Sequence, residues 1–129
     1  MDVTLDSKRA AILAMDLQND ILGMTPKYRE KNLLGTVKNV LDAGRRKGVP
    51  IIYITVSFHG DYADAPAQSP LFQGVKQGGV LRAGTPGAAI CDGVKPQAGD
   101  IIINKHCVDP FNGTHLYTVL RNKGVDTLV

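Results

Sequence analysis

Ala11-Ile-Leu-Ala-Met-Asp16-Leu-Gln-Asn-Asp20 places a short apolar run directly before an aspartate and a polar stretch. The run covers residues 10–15, and its near continuity is typical of a strand buried on both faces. A carboxylate at the end of such a strand is partly removed from water, which suits a general base. Asp16 would be equally well placed to cap the following turn through backbone N–H groups. Position alone leaves both interpretations open.

Further along the chain, the spacing of the apolar residues alternates between strand and helix periods. A helical pattern at residues 33–41 precedes a β-branched run at 51–56. A third strand is predicted at 101–104, a helix at 114–124 and a fourth strand at 127–129. This alternation predicts an α/β fold with a Rossmann-like parallel sheet between two helical layers, that is, a three-layer α/β/α domain over residues 1–129.

The connections in this pattern are uneven in length. Residues 57–86 are rich in Gly, Pro and Ala, and we interpret them as a long surface excursion with room for a short helix. Loops of this length in compact domains are usually functional or poorly ordered. Residues 87–94 are expected to form a short helical turn.

Lys105 ends the third predicted strand, as Asp16 ends the first. The carboxyl ends of parallel strands meet at one sheet edge, where ligands of open α/β sheets bind. A lysine there can stabilise a developing anion or pair with Asp16. An exposed lysine at a strand end is the alternative, and position alone favours it.

Composition narrows the class of protein. The chain has 129 residues, of which 43% are apolar and 21% charged, as in an ordinary globular domain. The net charge is +3, but the basic residues are scattered, and their densest cluster, residues 45–47, complements a helix dipole. We therefore expect no nucleic-acid partner. No apolar run approaches the ~20 residues that span a bilayer, so we expect no membrane partner.

The termini and the cysteines indicate a compartment. Asp2 and Asp6 precede the first apolar run, which is unlike a signal peptide. Cys91 and Cys107 do not form a metal-type pair, and a reduced cytoplasmic location is the default expectation.

Five segments in the right order resemble the isochorismatase-like, or cysteine hydrolase, family. They are the opening strand quoted above, Ala43-Gly-Arg-Arg-Lys-Gly-Val-Pro-Ile-Ile-Tyr53, Gly84-Thr-Pro-Gly-Ala-Ala-Ile90, Gly99-Asp-Ile-Ile-Ile-Asn-Lys-His106 with Phe111-Asn-Gly-Thr114, and Gly124-Val-Asp-Thr-Leu-Val129. No single segment is decisive, but the ordered set covers nearly the whole chain.

The resemblance implies a hydrolase with an Asp-Lys-Cys triad acting on a small amide, carbamoyl or imide-type substrate, without a cofactor. Asp16 would take the thiol proton, and Lys105 would hold the thiolate and the substrate. The family's cysteine follows the fourth strand, so it is expected beyond Val129, together with further strands and helices. Relatives are commonly dimers or tetramers, and the resemblance implies a homo-oligomer here.

The cysteines in the chain do not match the position of the nucleophile. Cys107 lies two residues beyond Lys105, but a buried or pocket-lining thiol is the favoured interpretation. Cys91 is expected to pack against the short helical segment. Phe111 is a candidate for binding the substrate, with packing under the turn as the alternative.

Some residues depart from the family pattern. Ile21 stands where relatives usually have Phe, so the pocket wall is expected to differ. One branch binds a metal through Asp-x-His after the second strand, whereas here the order is His59-Gly-Asp61. We expect a surface histidine rather than a metal site, and local hydrogen bonding for His106 and His115.

Two alternatives to the thiol hydrolase remain open. An isochorismatase-type enzyme would cleave a vinyl ether with Asp16 as the acid and needs no thiol. A truncated, inactive domain acting by association is suggested by the apolar end at residues 127–129. The 129-residue chain by itself is expected to be inactive.

Overall fold

The computed structural model describes residues 4–129, and Asp2 lies outside the described residues. Four strands form one parallel sheet in the order β3-β2-β1-β4. The strands are Ala10–Met15 (β1), Ile51–Val56 (β2), Ile101–Lys105 (β3) and Thr127–Leu128 (β4). In the register of the sheet, Met15 pairs with Ile54 and Val56 pairs with Lys105. The ends of β1 and β3 therefore reach the same edge on either side of β2.

Five helices and a 3₁₀ turn connect the strands. The helices are Asn19–Gly23 (α1), Lys27–Glu30 (α2), Leu33–Arg46 (α3), Pro70–Gly78 (α4) and Leu116–Asn122 (α5), and the 3₁₀ turn is Asp92–Val94. Gly48 follows α3 at φ +69°, a left-handed conformation that glycine adopts without strain, so it ends the helix.

Alternating strand residues build a separate core on each face of the sheet. Ile12 of β1 and Tyr53 of β2 pack with Leu41 of α3. On the opposite face, Ile52 packs with Leu116 of α5. Because neighbouring residues of a strand point to opposite faces, the nearly continuous apolar strands supply both cores.

A third cluster lies beyond the carboxyl end of β2. Phe58 is fully buried there, with its ring centroid 5.3 Å from that of Phe72 on α4. Val56, Tyr62, Val75 and Leu81 complete the cluster. The excursion at 57–86 therefore runs over the surface with one short helix, as predicted, and packs its few buried side chains against the carboxyl edge of the sheet.

An ion pair joins α3 to the start of β3 at the opposite end of the sheet. Arg45 donates to Asp100 at 2.6 Å, and the two side chains are 19% and 7% exposed. The Asp100 carboxylate raises the pKa of the Arg45 guanidinium above its ordinary value. Burial raises the pKa of the neighbouring Tyr53 phenol, whose hydroxyl donates to the carbonyl of Val94.

The predicted three-layer α/β/α fold is confirmed, and the strands lie where the apolar pattern placed them. The sequence interpretation missed α1 and α2, because these helices have only five and four residues and are too short for a helical period to show. Over residues 4–129, no helix combines the length and the apolarity that crossing a membrane requires.

Candidate active site

Asp16 and Lys105 form an ion pair at the carboxyl edge of the sheet. Lys105 Nζ lies 3.2 Å from Asp16 Oδ1 and 3.3 Å from Oδ2. The Lys105 side chain is only 4% exposed, and its ammonium also donates to the carbonyl of Val108 at 2.9 Å. Lys105 is therefore not the exposed strand-end lysine that position alone favoured. A buried ammonium needs compensating partners of this kind.

Both oxygens of the Asp16 carboxylate face the Lys105 ammonium, but only one of them accepts a hydrogen bond from it. Oδ2 accepts the hydrogen bond from Lys105, whereas Oδ1 is buried and accepts no hydrogen bond from the described residues. No backbone N–H of residues 4–129 donates to this carboxylate, which speaks against the turn-capping alternative. Asp16 has φ +60°, a left-handed conformation that aspartate tolerates better than most residues and that ends β1 here.

A cavity of about 230 Å³ opens beside the pair. Asp16, Lys105 and Cys107 are its polar lining residues. Its apolar wall comes from the segment after β1 and from α4, through Ile21, Met24, Leu71, Phe72 and Val75. Val56, Leu81 and Val108 complete the wall. Ile21, at which the sequence analysis expected a different pocket wall, thus lies directly in the wall.

Cys107 lines this cavity, but its thiol is engaged elsewhere. Its Sγ donates to the carbonyl of Asp109 at 3.4 Å and contacts that of Asn112 at 3.9 Å. No hydrogen bond joins it to Asp16 within the described residues, and α5 begins only at Leu116. Cys107 therefore lacks both the base and the helix N-terminus that activate a thiol. This arrangement fits the predicted pocket-lining thiol.

Gln18 holds the ends of the two central strands together. Its side chain is fully buried, and Nε2 donates to the carbonyls of Val56 at 2.8 Å and Ala88 at 2.7 Å. Its Oε1 accepts from the backbone N–H of Val56 at 2.8 Å. The amide thereby uses both its donor and its acceptor ends two residues from Asp16. Sequence reasoning assigned no role to Gln18, although an amide directly after a buried strand was a usable signal.

The side chains of Asn19 and Asp20 hold the end of the 57–86 excursion in place. Asn19 Nδ2 donates to the carbonyl of Pro86 at 2.8 Å. Asp20 Oδ2 accepts from the backbone N–H of Leu81 at 2.8 Å, which holds that leucine at φ +56°. A Cβ on Gly87 would lie 2.2 Å from Asp20 Oδ1, so a larger residue there would displace the Asp20 carboxylate. We call Gln18, Asn19 and Asp20 the loop clamp, since together they hold residues 81–88 against the site.

His59 and Asp61 form a pair on the surface. His59 Nδ1 and Asp61 Oδ1 are 2.7 Å apart, and the hydrogen bond raises the pKa of the imidazole. The backbone N–H of Ala63 and, after it, His59 lower the pKa of the Asp61 carboxyl. Across residues 4–129, no three His, Cys, Asp or Glu side chains come together as a metal ion would require.

The remaining candidates are scattered. Phe111 is 40% exposed and is not among the residues that line the cavity, so its role in binding stays a prediction. His106 Nε2 lies 3.5 Å from Asn104 Nδ2, which agrees with the predicted local hydrogen bonding, and it also lies 3.2 Å from Asp64 Oδ2. Cys91 packs beside Val94 of the 3₁₀ turn, as expected.

Comparison with known proteins supports the family resemblance independently of the site geometry. Residues 10–129 match the isochorismatase domain. The chain is 30% identical to the ureidoacrylate amidohydrolase RutB of Rhizobium rhizogenes over 148 aligned positions, covering 98% of this chain and 60% of the relative. The chain thus spans less than two thirds of that relative's length.

Solved structures also superimpose on this chain. A cysteine hydrolase from Pseudomonas syringae pv. phaseolicola superimposes with a TM-score of 0.83 at 27% identity, covering 96% of this chain and 59% of that one. N-carbamoylsarcosine amidase from Thermoplasma acidophilum gives a TM-score of 0.74 at 27% identity, covering 93% and 65%.

Proposed function

The chain belongs to the isochorismatase domain family, and on that premise we propose that it is part of a hydrolase that cleaves a small amide, carbamoyl or imide-type substrate. The observation that carries this proposal is the buried Lys105 ammonium beside an Asp16 oxygen that accepts no hydrogen bond from the described residues. The names of two relatives, an amidohydrolase and an amidase, support the reaction class.

In the proposed reaction, the Asp16 carboxylate accepts the proton of a cysteine thiol, and the thiolate attacks the substrate carbonyl carbon. The C–N bond then breaks, and the leaving nitrogen takes the proton back from Asp16. Water, deprotonated by Asp16, attacks the thioester and releases the acid and the thiol. Lys105 stabilises negative charge on the thiolate and on the bound substrate throughout.

The nucleophile is proposed to be a cysteine that follows Val129 in the complete protein. Two observations support this placement. Cys91 packs in the core beside the 3₁₀ turn, and the thiol of Cys107 is held by backbone carbonyls. Turnover of an amide by residues 1–129 alone would contradict it.

The test measures ammonia release from primary amides and N-carbamoyl compounds by the protein that carries the complete domain. Asp16→Asn removes the proton acceptor and Lys105→Ala removes the cation, and each is expected to lower kcat/KM by about 10²–10³-fold. Asp92→Asn and Lys123→Ala are matched controls, since both residues are exposed and lie outside the cavity wall. Near-normal rates for either site variant would refute the assignment.

The same assay separates the isochorismatase-type alternative. Cleavage of a vinyl ether that persists after removal of every thiol, without amide hydrolysis, would favour Asp16 as an acid in place of thiol catalysis.

A further inference from the structure

The cavity beside Asp16 and Lys105 is polar only at its base. Apart from that pair and Cys107, every residue that this chain contributes to the wall is aliphatic, thioether or aromatic. A substrate bound in this cavity would therefore meet two different surfaces. A reacting head meets the ion pair, and the rest of the molecule meets an apolar surface.

The wall offers no second cation. Lys105 is the one basic lining residue among those described, and its ammonium is already held by Asp16 and by the carbonyl of Val108. A carboxylate on the substrate, away from the reacting head that Lys105 serves, would lose water against the described part of the wall without gaining a second charged partner. Such uncompensated desolvation opposes binding strongly.

The mouth of the cavity is also apolar. Met24, Leu71 and Val108 are 58%, 60% and 65% exposed, and all three line the same cavity although they come from three separate segments. Single exposed apolar residues are common on proteins, but several that converge on one cavity mark a binding surface. Covering these side chains with an apolar group of a ligand would remove them from water favourably.

We infer that the substrate carries an uncharged, apolar group next to its reacting amide or carbamoyl head, and that α4 selects this group through Leu71 and Val75. The inference rests on the proposed function, since it concerns the substrate of the same site. Leu71 determines specificity at the mouth, and the buried Val75 does so deeper in the wall.

The test compares ligands of matched size in the protein that carries the complete domain. Isopentylurea and 3-ureidopropanoate differ by an isopropyl group in place of a carboxylate, and 4-methylpentanamide and succinamate form the equivalent amide pair. We expect the neutral member of at least one pair to have a kcat/KM higher by about tenfold or more. Equal rates, or faster turnover of the carboxylates, would overturn the inference.

Two variants locate the selectivity. Leu71→Lys places a cation at the mouth and should reduce the preference for the neutral member at least about fivefold. Tyr117→Lys is the matched control, because Tyr117 is also 60% exposed on a helix but lies outside this cavity. An unchanged preference in Leu71→Lys would show that α4 does not select the substrate.

If none of the four compounds is hydrolysed, the proposed activity fails for them, and isothermal titration calorimetry with the same compounds decides the inference separately. Tighter binding of a neutral member would uphold the apolar selection. Equal binding, tighter carboxylate binding or no binding of any of the four would reject it.

Discussion

Replacing Gln18 by Leu should destabilise the domain far more than a surface substitution. The change introduces an apolar side chain of similar size and removes three hydrogen bonds from a fully buried position. The orphaned N–H of Val56 costs about 1–3 kcal/mol, and each carbonyl that loses its donor costs about 0.5–1.5 kcal/mol. The expected loss is therefore about 4 kcal/mol, a large share of the ~5–15 kcal/mol that stabilises a typical domain.

Urea denaturation followed by circular dichroism measures this loss. With an m value of about 1–3 kcal/mol/M, the midpoint should fall by more than 1 M. Asn19→Leu is the internal control. The Asn19 amide lies next to Gln18 in the sequence but donates only one exposed hydrogen bond to the same loop, so its removal should cost less than about 1 kcal/mol. A Gln18→Leu variant within 1 kcal/mol of the wild type, at an unchanged m value, would refute the reasoning.

The substitution Gln18→Glu should make the stability of the domain depend on pH. The variant retains the acceptor for the Val56 N–H but turns a carboxylate toward two carbonyl oxygens. Burial raises the pKa of a glutamate at this position, so the folded state binds more protons than the unfolded state. Relative to the wild type, the variant should therefore gain stability as pH falls from 7 toward 5. A deficit that stays constant with pH would contradict this expectation.

Two other contacts give separate predictions. His59 has a pKa raised by Asp61, and the pKa of Asp61 is lowered, so the contribution of the pair to stability is fully present between about pH 4 and pH 6.5 and is lost on either side. NMR titration should show that Asp61→Asn lowers the pKa of His59; an unchanged value would argue against the pair. Asp100→Ala should cost about 2 kcal/mol in thermal or urea denaturation, because the half-buried Arg45 loses its charged partner. Asp42→Ala, which removes a more exposed carboxylate from the same guanidinium, should cost less, and an equal cost would refute the ranking.

The strands and the long helices could be predicted because their signals are local. The run at 10–15 and the β-branched run at 51–56 are each buried on both faces, and such segments show in composition alone. The order of the elements along the chain was then enough to place Asp16 and Lys105 on one sheet edge. Spacing could not show that Lys105 is buried, because its burial depends on the turn that carries the carbonyl of Val108.

The loop clamp and the apolar wall could not be predicted from the sequence, because their partners are distant along the chain. Gln18 finds its acceptors at Val56 and Ala88, and α4 reaches the cavity only after the excursion folds back onto Phe58. No local period encodes such contacts. The sequence identified the excursion as unusual in length, but the side chains that it brings to the site follow from tertiary packing.

The distance along the chain between Asp16 and Lys105 also affects how the domain is made. The two residues are 89 positions apart, and the clamp contacts of Gln18 span 38 and 70 positions. Contacts between distant segments close large loops, and the entropy lost in closing them slows folding. A ribosome that has made the first half of the domain has therefore not yet made the partner of Asp16. We expect the reacting pair to be among the last contacts to form, which pulse-labelled hydrogen exchange would show as late protection of the amides at 16–20 and 103–105.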